Sequence, residues 1–63
     1  MAYRIMELRL KHGMSLIELS RKSQVSRQTI AKLEAGEEQD TTVSTLQKIA
    51  DALGVHVAEL FMP

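Results

Sequence analysis

The sequence predicts an all-α fold, a compact domain of five short helices, and two observations carry that prediction. Apolar residues recur at helical spacing along the chain, whereas no stretch keeps the strict apolar and polar alternation of a half-buried strand. Helix-capping residues and glycines divide the chain at short intervals. With 63 residues and no linker or repeat, we expect one domain over residues 1–63.

The first two helices are bounded by local signals. Helix one is expected over about residues 3–12, and Gly13 suits the left-handed conformation that ends a helix. The segment "SLIE" is a capping box. In it, the Ser15 hydroxyl accepts from the amide of Glu18, whose carboxylate accepts from the amide of Ser15. Helix two is therefore expected over about residues 15–22.

Three further helices follow at similar spacing. Ser26 is an N-cap residue, so helix three is expected over 26–35, with Gly36 ending it. Helix four is expected over about 43–53 and a last helix over about 56–61. The predicted inward residues are Ile5, Leu8, Leu19, Ile30 and Leu33, together with a stripe on helix four formed by Val43, Leu46, Ala50 and Leu53.

Composition excludes several classes of protein. Without cysteine, the chain has no disulfides, thiolate metal sites or thiol nucleophiles. No apolar run approaches the roughly 18 to 20 residues that span a bilayer, so we expect a cytoplasmic protein without a membrane partner. His12 and His56 lie far apart, and no base is spaced to activate a serine. We expect no enzyme activity, no metal, no cofactor and no small-molecule ligand.

Charge is distributed unevenly although the formal net charge is zero. Residues 1–36 hold seven Lys and Arg against three Glu, so seven minus three gives plus four. Residues 37–63 hold one Lys against five Asp and Glu, so one minus five gives minus four. The basic half is suited to phosphate and the acidic half is not. The alternative is solvated charge without a functional role.

Helix three carries the chemistry of a DNA-reading surface. At 100 degrees per residue, Ile30 and Leu33 fall on one side. Gln28, Ala31, Lys32 and Ala35 fall on the other side, with Arg27 on its flank. Arg and Lys suit the acceptors of guanine, and Gln suits adenine. The predicted base-reading residues are Arg27, Gln28 and Lys32; a solvated polar helix face is the alternative.

The segments "MSLIELSRKSQVSRQTIAKLEAG" and "TVSTLQKIADALGVHVAELF" resemble the Cro and lambda-repressor type of helix-turn-helix domain, the xenobiotic-response-element family. The resemblance covers about residues 3–61. It implies a helix-turn-helix over about 15–35, with helix three in the major groove. It also implies base reading by Arg27, Gln28 and Lys32, a flanking contact from Ser26, and a partly buried ion pair that orients the helices, Arg9 with Glu34.

The sequence departs from that family at four places. Leu16 replaces a glutamine that braces phosphate, Gln24 replaces a turn glycine, His56 replaces a capping serine, and the loop at 37–40 is acidic. The backbone amides at Leu16 still suit a phosphate contact. The polar residues of the loop after helix three are further candidates for backbone contacts, and one of the two threonines is expected to cap helix four: Gln39, Thr41 and Thr42.

These observations together predict a sequence-specific DNA-binding transcriptional regulator. We expect a repressor that binds double-stranded DNA as a homodimer on a roughly palindromic operator. The apolar residues in excess of a small core are Met6, Leu10, Leu16, Ile17, Val57 and Met62. The candidate dimer contacts are Val57, Leu60, Phe61 and Met62.

A second interpretation keeps the fold and discards the DNA. A protein-interaction module, or an antitoxin-like or controller partner of the same fold, would grip another chain through an apolar patch at Leu16 and Ile17. The acidic loop and Leu16 favour this interpretation, whereas the polar face of helix three disfavours it. A regulatory protein partner is compatible with both.

Overall fold

The computed structural model describes residues 3–36 and 41–61, and these form an all-helical fold. Four α-helices and one 3₁₀ helix follow in order: α1 (Ile5–Lys11), α2 (Leu16–Ser23), α3 (Arg27–Ala35), α4 (Val43–Leu53) and a 3₁₀ helix (Val57–Leu60). The described residues contain no strand, and none of their helices is long and apolar enough to cross a membrane. The all-α prediction is confirmed.

The predicted fifth α-helix is a single 3₁₀ turn, so the count for residues 3–36 and 41–61 is four α-helices plus this turn. The amide of Glu59 donates to the carbonyl of His56 at 2.9 Å, and the amide of Phe61 donates to that of Ala58 at 3.1 Å, both three residues back. A segment of four residues is too short for a series of α-helical hydrogen bonds, in which each amide donates to the carbonyl four residues back. 3₁₀ geometry is usual in such short segments.

Local capping sets where the helices begin and end. Ser15 Oγ accepts from the Glu18 amide at 3.1 Å, and the Glu18 carboxylate accepts from the Ser15 amide at 3.2 Å, so the predicted capping box is confirmed. Ser26 Oγ accepts from the amide of Thr29 at 3.2 Å at the start of α3. Gly36 ends α3 with a φ of 78°, a conformation that a side chain would disfavour.

The hydrophobic core lies where the four helices meet the 3₁₀ helix. All the inward residues predicted for the first three helices are buried in it. Two loop residues join them, Met14 before α2 and Val25 before α3, which helical periodicity does not single out. Among the described residues, the core consists of Ile5, Leu8, Met14, Leu19, Val25, Ile30, Leu33, Leu46, Ile49, Ala50, Leu53 and Leu60.

The predicted buried stripe of α4 is wrong at its first residue. Val43 is 74% exposed, whereas Leu46, Ala50 and Leu53 are buried. Val43 occupies the first helical position, and no described element covers that turn. Ile49 takes a place in the core that the predicted stripe omitted.

The two ends of the described chain meet. The amide of Arg4 donates to the carbonyl of Leu60 at 3.0 Å, and the rings of Tyr3 and Phe61 pack edge to face with centroids 5.4 Å apart. Leu60 is fully buried beneath this contact. The prediction of Leu60 as a dimer contact is therefore wrong, because its side chain is fully buried in the core of its own domain.

Candidate nucleic-acid interface

The outer face of α3 carries the side chains that the helical projection selected. Ile30 and Leu33 are fully buried against the core. The opposite side is exposed throughout, and its residues are Arg27, Gln28, Ala31, Lys32 and Ala35. This face offers a guanidinium, an amide and an ammonium separated by small alanines, which allow close approach to a groove.

The cations of this face form no ion pair with a carboxylate of the described residues. Within residues 3–36 and 41–61, the ion pairs are Arg4 with Glu7 and Arg9 with Glu34. Neither pair includes Arg27 or Lys32. As far as the described residues are concerned, both charges are therefore available to a phosphate or a base edge.

The turn between α2 and α3 is fixed by two serine side chains. Ser20 Oγ donates to the carbonyl of Val25 at 2.7 Å, and the Val25 amide donates to Ser23 Oγ at 3.2 Å. Gln24 has a φ of 60° and ends α2, its amide donating to the Ser20 carbonyl at 2.9 Å. A non-glycine residue therefore takes positive φ at the position where the family usually has glycine, and the turn holds α3 against α2.

A largely buried ion pair holds the other end of α3. Arg9 Nε donates to Glu34 Oε2 at 2.8 Å and Nη2 donates to Oε1 at 3.3 Å, with side chains 12% and 5% exposed respectively. Arg9 Nη1 also donates to the carbonyl of Met14 at 3.1 Å, and the Met14 amide donates to the Arg9 carbonyl at 2.9 Å. Arg9 thus joins α1, the loop before α2 and α3.

The N-terminus of α2 retains backbone donors. A helix leaves its first four amides without intrahelical acceptors, and the capping box satisfies those of Ser15 and Glu18. The remaining two belong to Leu16 and Ile17. The Leu16 side chain packs against the core, so only its amide is placed to meet a phosphate.

The sequence matches a known protein family over most of its length. A family model described as helix-turn-helix matches residues 5–60, which is most of the chain. The chain belongs to the Cro and lambda-repressor type of helix-turn-helix family. Comparisons with curated proteins and with solved structures gave no match. Membership in this family indicates a DNA-binding transcription regulator with DNA as its partner.

The helix-turn-helix domain uses its flanking polar residues mainly as caps. Ser26 Oγ also donates to Thr29 Oγ1 at 2.9 Å. Thr42, rather than Thr41, caps α4 and accepts from the amide of Thr45 at 3.1 Å. Both caps are exposed, so their oxygens remain accessible to solvent, while Thr41 is half-buried. Gln39 and the acidic loop 37–40 lie outside the described residues.

The candidate dimer residues of the helix-turn-helix domain separate into different environments. Val57 is half-buried and packs against the core, whereas Phe61 is about half-exposed. Met62 lies outside the described residues. Two exposed apolar residues of α1, Met6 and Leu10, belong to the predicted apolar excess but not to the predicted dimer contacts.

Proposed function

We propose that this helix-turn-helix domain is a sequence-specific repressor that binds a roughly palindromic operator as a homodimer. The observation that carries the proposal is the outer face of α3, where Arg27, Gln28 and Lys32 are exposed together on a helix that is fixed at both ends. A rigid helix with donors and acceptors at set positions suits direct readout of base edges.

The supporting contacts come from the edges of the helix-turn-helix. The amides of Leu16 and Ile17 suit a phosphate at the N-terminus of α2, where the helix dipole favours negative charge. Ser26, at the start of α3, suits the next phosphate or a flanking base. These contacts would set the register in which α3 enters the groove, while the three polar side chains distinguish one sequence from another.

The size of the domain is compatible with a dimer on successive major grooves. Recognition helices of such dimers lie about 34 Å apart, so each lies about 17 Å from the twofold axis. The described part of the chain extends 23 by 22 by 19 Å. If one side of each domain lies at the twofold axis, a domain of this width is wide enough to place its recognition helix about 17 Å from that axis.

Repression by occupancy is the simplest mechanism for this chain. A bound dimer covers its site and blocks access by other proteins, without catalysis. The acidic loop 37–40 would weaken each monomer on DNA through repulsion of phosphate. Specific binding would then depend on two linked half-sites, which makes operator occupancy sensitive to protein concentration.

A selection from random double-stranded DNA tests the proposal. We expect the enriched sequences to be twofold symmetric, with half-site centres about 10 base pairs apart. On the selected site, the logarithm of the binding constant should fall linearly with the logarithm of salt concentration, because phosphate contacts release counterions. Failure to enrich any sequence, together with salt-independent binding, would contradict the proposal.

The interaction-module alternative loses part of its support in the structure. Leu16, half of its proposed apolar patch, is half-buried against the core, so Ile17, 47% exposed, is the more accessible part of the patch. The variant Ile17→Ser separates the two functions. It should leave specific DNA binding within about twofold under the repressor proposal, because the phosphate contact proposed for Ile17 comes from its backbone amide, which the substitution keeps. It should abolish partner capture under the alternative.

A further inference from the structure

The outward side of α3 carries two exposed alanines among its polar side chains. We use the name α3 reading face for its exposed residues, Arg27, Gln28, Ala31, Lys32 and Ala35. Ala31 and Ala35 are four residues apart, so their methyl groups lie about one turn apart along the helix. An alanine side chain neither donates nor accepts a hydrogen bond. Any part that these two residues take in recognition is therefore apolar contact.

Ala31 lies beside Gln28 on the α3 reading face, on the side away from Lys32. Ile30 and Leu33 are fully buried and define the inward direction of α3. At 100 degrees per residue, Gln28 lies about 170 degrees from that direction, while Ala31 and Lys32 each lie about 130 degrees from it, on opposite sides. The Gln28 amide thus has an ammonium group on one flank and a methyl group on the other.

We propose that Ala31 is a specificity-determining residue that contacts the 5-methyl group of a pyrimidine in the major groove. The inference rests on the proposed function and names one chemical feature of the half-site. Bases present hydrogen-bond donors and acceptors in that groove, and among the four standard bases thymine alone adds a methyl group. An alanine methyl complements that group. Because 5-methylcytosine carries the same methyl group, the shared chemistry is a pyrimidine methylated at C5.

Cytosine is a poor partner for Ala31 at the same position. It presents an amino donor and no methyl group in the major groove. Contact with an alanine would remove this donor from water without supplying an acceptor, which costs binding free energy. Methylation of cytosine at C5 restores the methyl group but keeps the amino donor. Thymine is therefore the source of the methyl group that Ala31 fits best.

The position of Ala31 along α3 suits a contact next to the base that Gln28 reads. Recognition helices of this type contact base edges with their N-terminal residues. Ala31 is the fifth residue of α3, whereas Ala35 is the last of the nine. Ala31 lies three residues, or about 4.5 Å, beyond Gln28 along the axis. With α3 along the groove, this distance is close to one base step of about 3.4 Å, so the two contacts fall on neighbouring steps.

Removal of single methyl groups from the DNA tests the contact with the protein unaltered. Each thymine in one half-site of the selected operator is replaced in turn by uracil, which lacks only the methyl group, and binding is measured by fluorescence anisotropy. We expect a thymine at which uracil weakens binding about fourfold, the value for burial of one methyl group. This thymine should lie one step from the base at which Gln28→Ala relaxes specificity.

Substitutions in α3 assign the sensitive thymine to Ala31. In Ala31→Gly, the ratio of thymine to uracil affinities at this position should fall from about fourfold to near one. A weaker helix lowers binding to both duplexes alike, so good helix formation as the only role of Ala31 would leave the ratio unchanged. Ala35→Gly is the matched control and should keep the fourfold ratio.

Ala31→Ser is a second variant, because serine weakens a helix less than glycine does. Its hydroxyl has to lose water on contact with the methyl group, so this variant should also lower the ratio of thymine to uracil affinities. Circular dichroism checks that the variants fold. A ratio that stays at about fourfold in both Ala31 variants would overturn the assignment.

Cytosine and 5-methylcytosine at the same position, each paired with guanine, distinguish the two sources of the methyl group. We expect binding to weaken in the order thymine, 5-methylcytosine, cytosine, because the second base keeps the methyl group but adds the unpaired donor. Equal binding of cytosine and 5-methylcytosine would overturn the methyl contact. Tighter binding of 5-methylcytosine than of thymine would overturn thymine as the source.

The outcomes distinguish this inference from the proposed function. A selection that enriches no sequence contradicts the proposed function itself. An enriched, twofold-symmetric operator is consistent with the proposed function, whatever its thymines do. If that operator lacks thymine in its half-sites, or if uracil replaces each of those thymines without loss of binding, the contact by Ala31 is overturned while the proposed function stands.

Discussion

Arg9 and Glu34 join α1 to the C-terminal end of α3 through two hydrogen bonds, Nε to Oε2 at 2.8 Å and Nη2 to Oε1 at 3.3 Å. The residues are separated by 25 positions in the chain, so the pair is a tertiary contact. Both side chains are largely removed from solvent, so each charge depends on the other for compensation. The pair holds the recognition helix from the side opposite to its reading face.

Removing one charge of this pair should be costly. Glu34→Gln leaves the Arg9 guanidinium largely buried without a counter-charge, and we expect a loss of about 2 kcal/mol in the free energy of unfolding. Urea denaturation followed by circular dichroism measures it. Arg9→Met with Glu34→Leu should recover most of the loss, because a buried pair replaced by apolar residues is often neutral.

The exposed pair of Arg4 and Glu7 is the matched control for that measurement. Its Nε to Oε2 distance is 2.6 Å, but the side chains are 31% and 61% exposed. Water screens such a pair, so Glu7→Gln should change the free energy of unfolding by less than about 0.5 kcal/mol. An effect of Glu34→Gln no larger than that of Glu7→Gln would contradict the structural role assigned to the buried pair.

Gln24 offers a stabilising substitution. Its φ of 60° lies in the left-handed region, which disfavours residues that have a β-carbon. Gln24→Gly should raise the free energy of unfolding by about 0.5 to 1 kcal/mol, because relief of strain exceeds the extra entropy of the unfolded chain. Thermal unfolding measures the gain. Gln24→Ala keeps the β-carbon and should give no gain; equal stabilisation by both would rule out backbone strain as the cause.

Ser20 should be sensitive to loss of its hydroxyl. Ser20→Ala preserves the small volume between α2 and α3 but removes the donor to the Val25 carbonyl, a bond of 2.7 Å. We expect a loss of about 1 kcal/mol in the free energy of unfolding. Hydrogen exchange of the turn amides should accelerate with it. An unchanged stability would mean that Ser20 acts only through its size.

Gln28 should distinguish specific from nonspecific DNA. Gln28→Ala removes an exposed amide from the α3 reading face, and we expect a loss of about 1 to 3 kcal/mol on the selected operator with little change on random DNA. Fluorescence anisotropy on both duplexes measures the difference. Gln47→Ala is the control, since it removes an exposed amide from α4. Equal losses on the two duplexes would show that Gln28 does not read sequence.

Local chemistry made the helix boundaries predictable. Ser15 and Ser26 satisfy amides within three residues, and Gly36 and Gly54 adopt positive φ at helix ends, so these signals act without the rest of the fold. The predicted range of α4, 43–53, agrees with the structure. The orientation of α3 was predictable for the same reason, because the buried Ile30 and Leu33 determine which face remains outside.

The environments of several apolar side chains were not predictable in this way. Val43 has helical spacing with Leu46 yet is exposed, whereas Met14 and Val25 lie in loops yet are buried. Leu60 enters the core and Phe61, the next residue, is about half-exposed. Periodicity identifies one face of a helix but not which neighbouring element covers it, or whether any does.

The sequence by itself determined the all-α class, the capped helices and the polar face of α3, because hydrogen bonds within a few residues and a fixed helical period specify them. The tertiary structure alone decided which apolar residues are buried in the core and which remain on the surface. It buried Leu60, packed a half-buried Leu16 against the core, and left Met6 and Leu10 exposed. Burial is a property of the space between elements, so the surface available for pairing emerges only when the helices have packed.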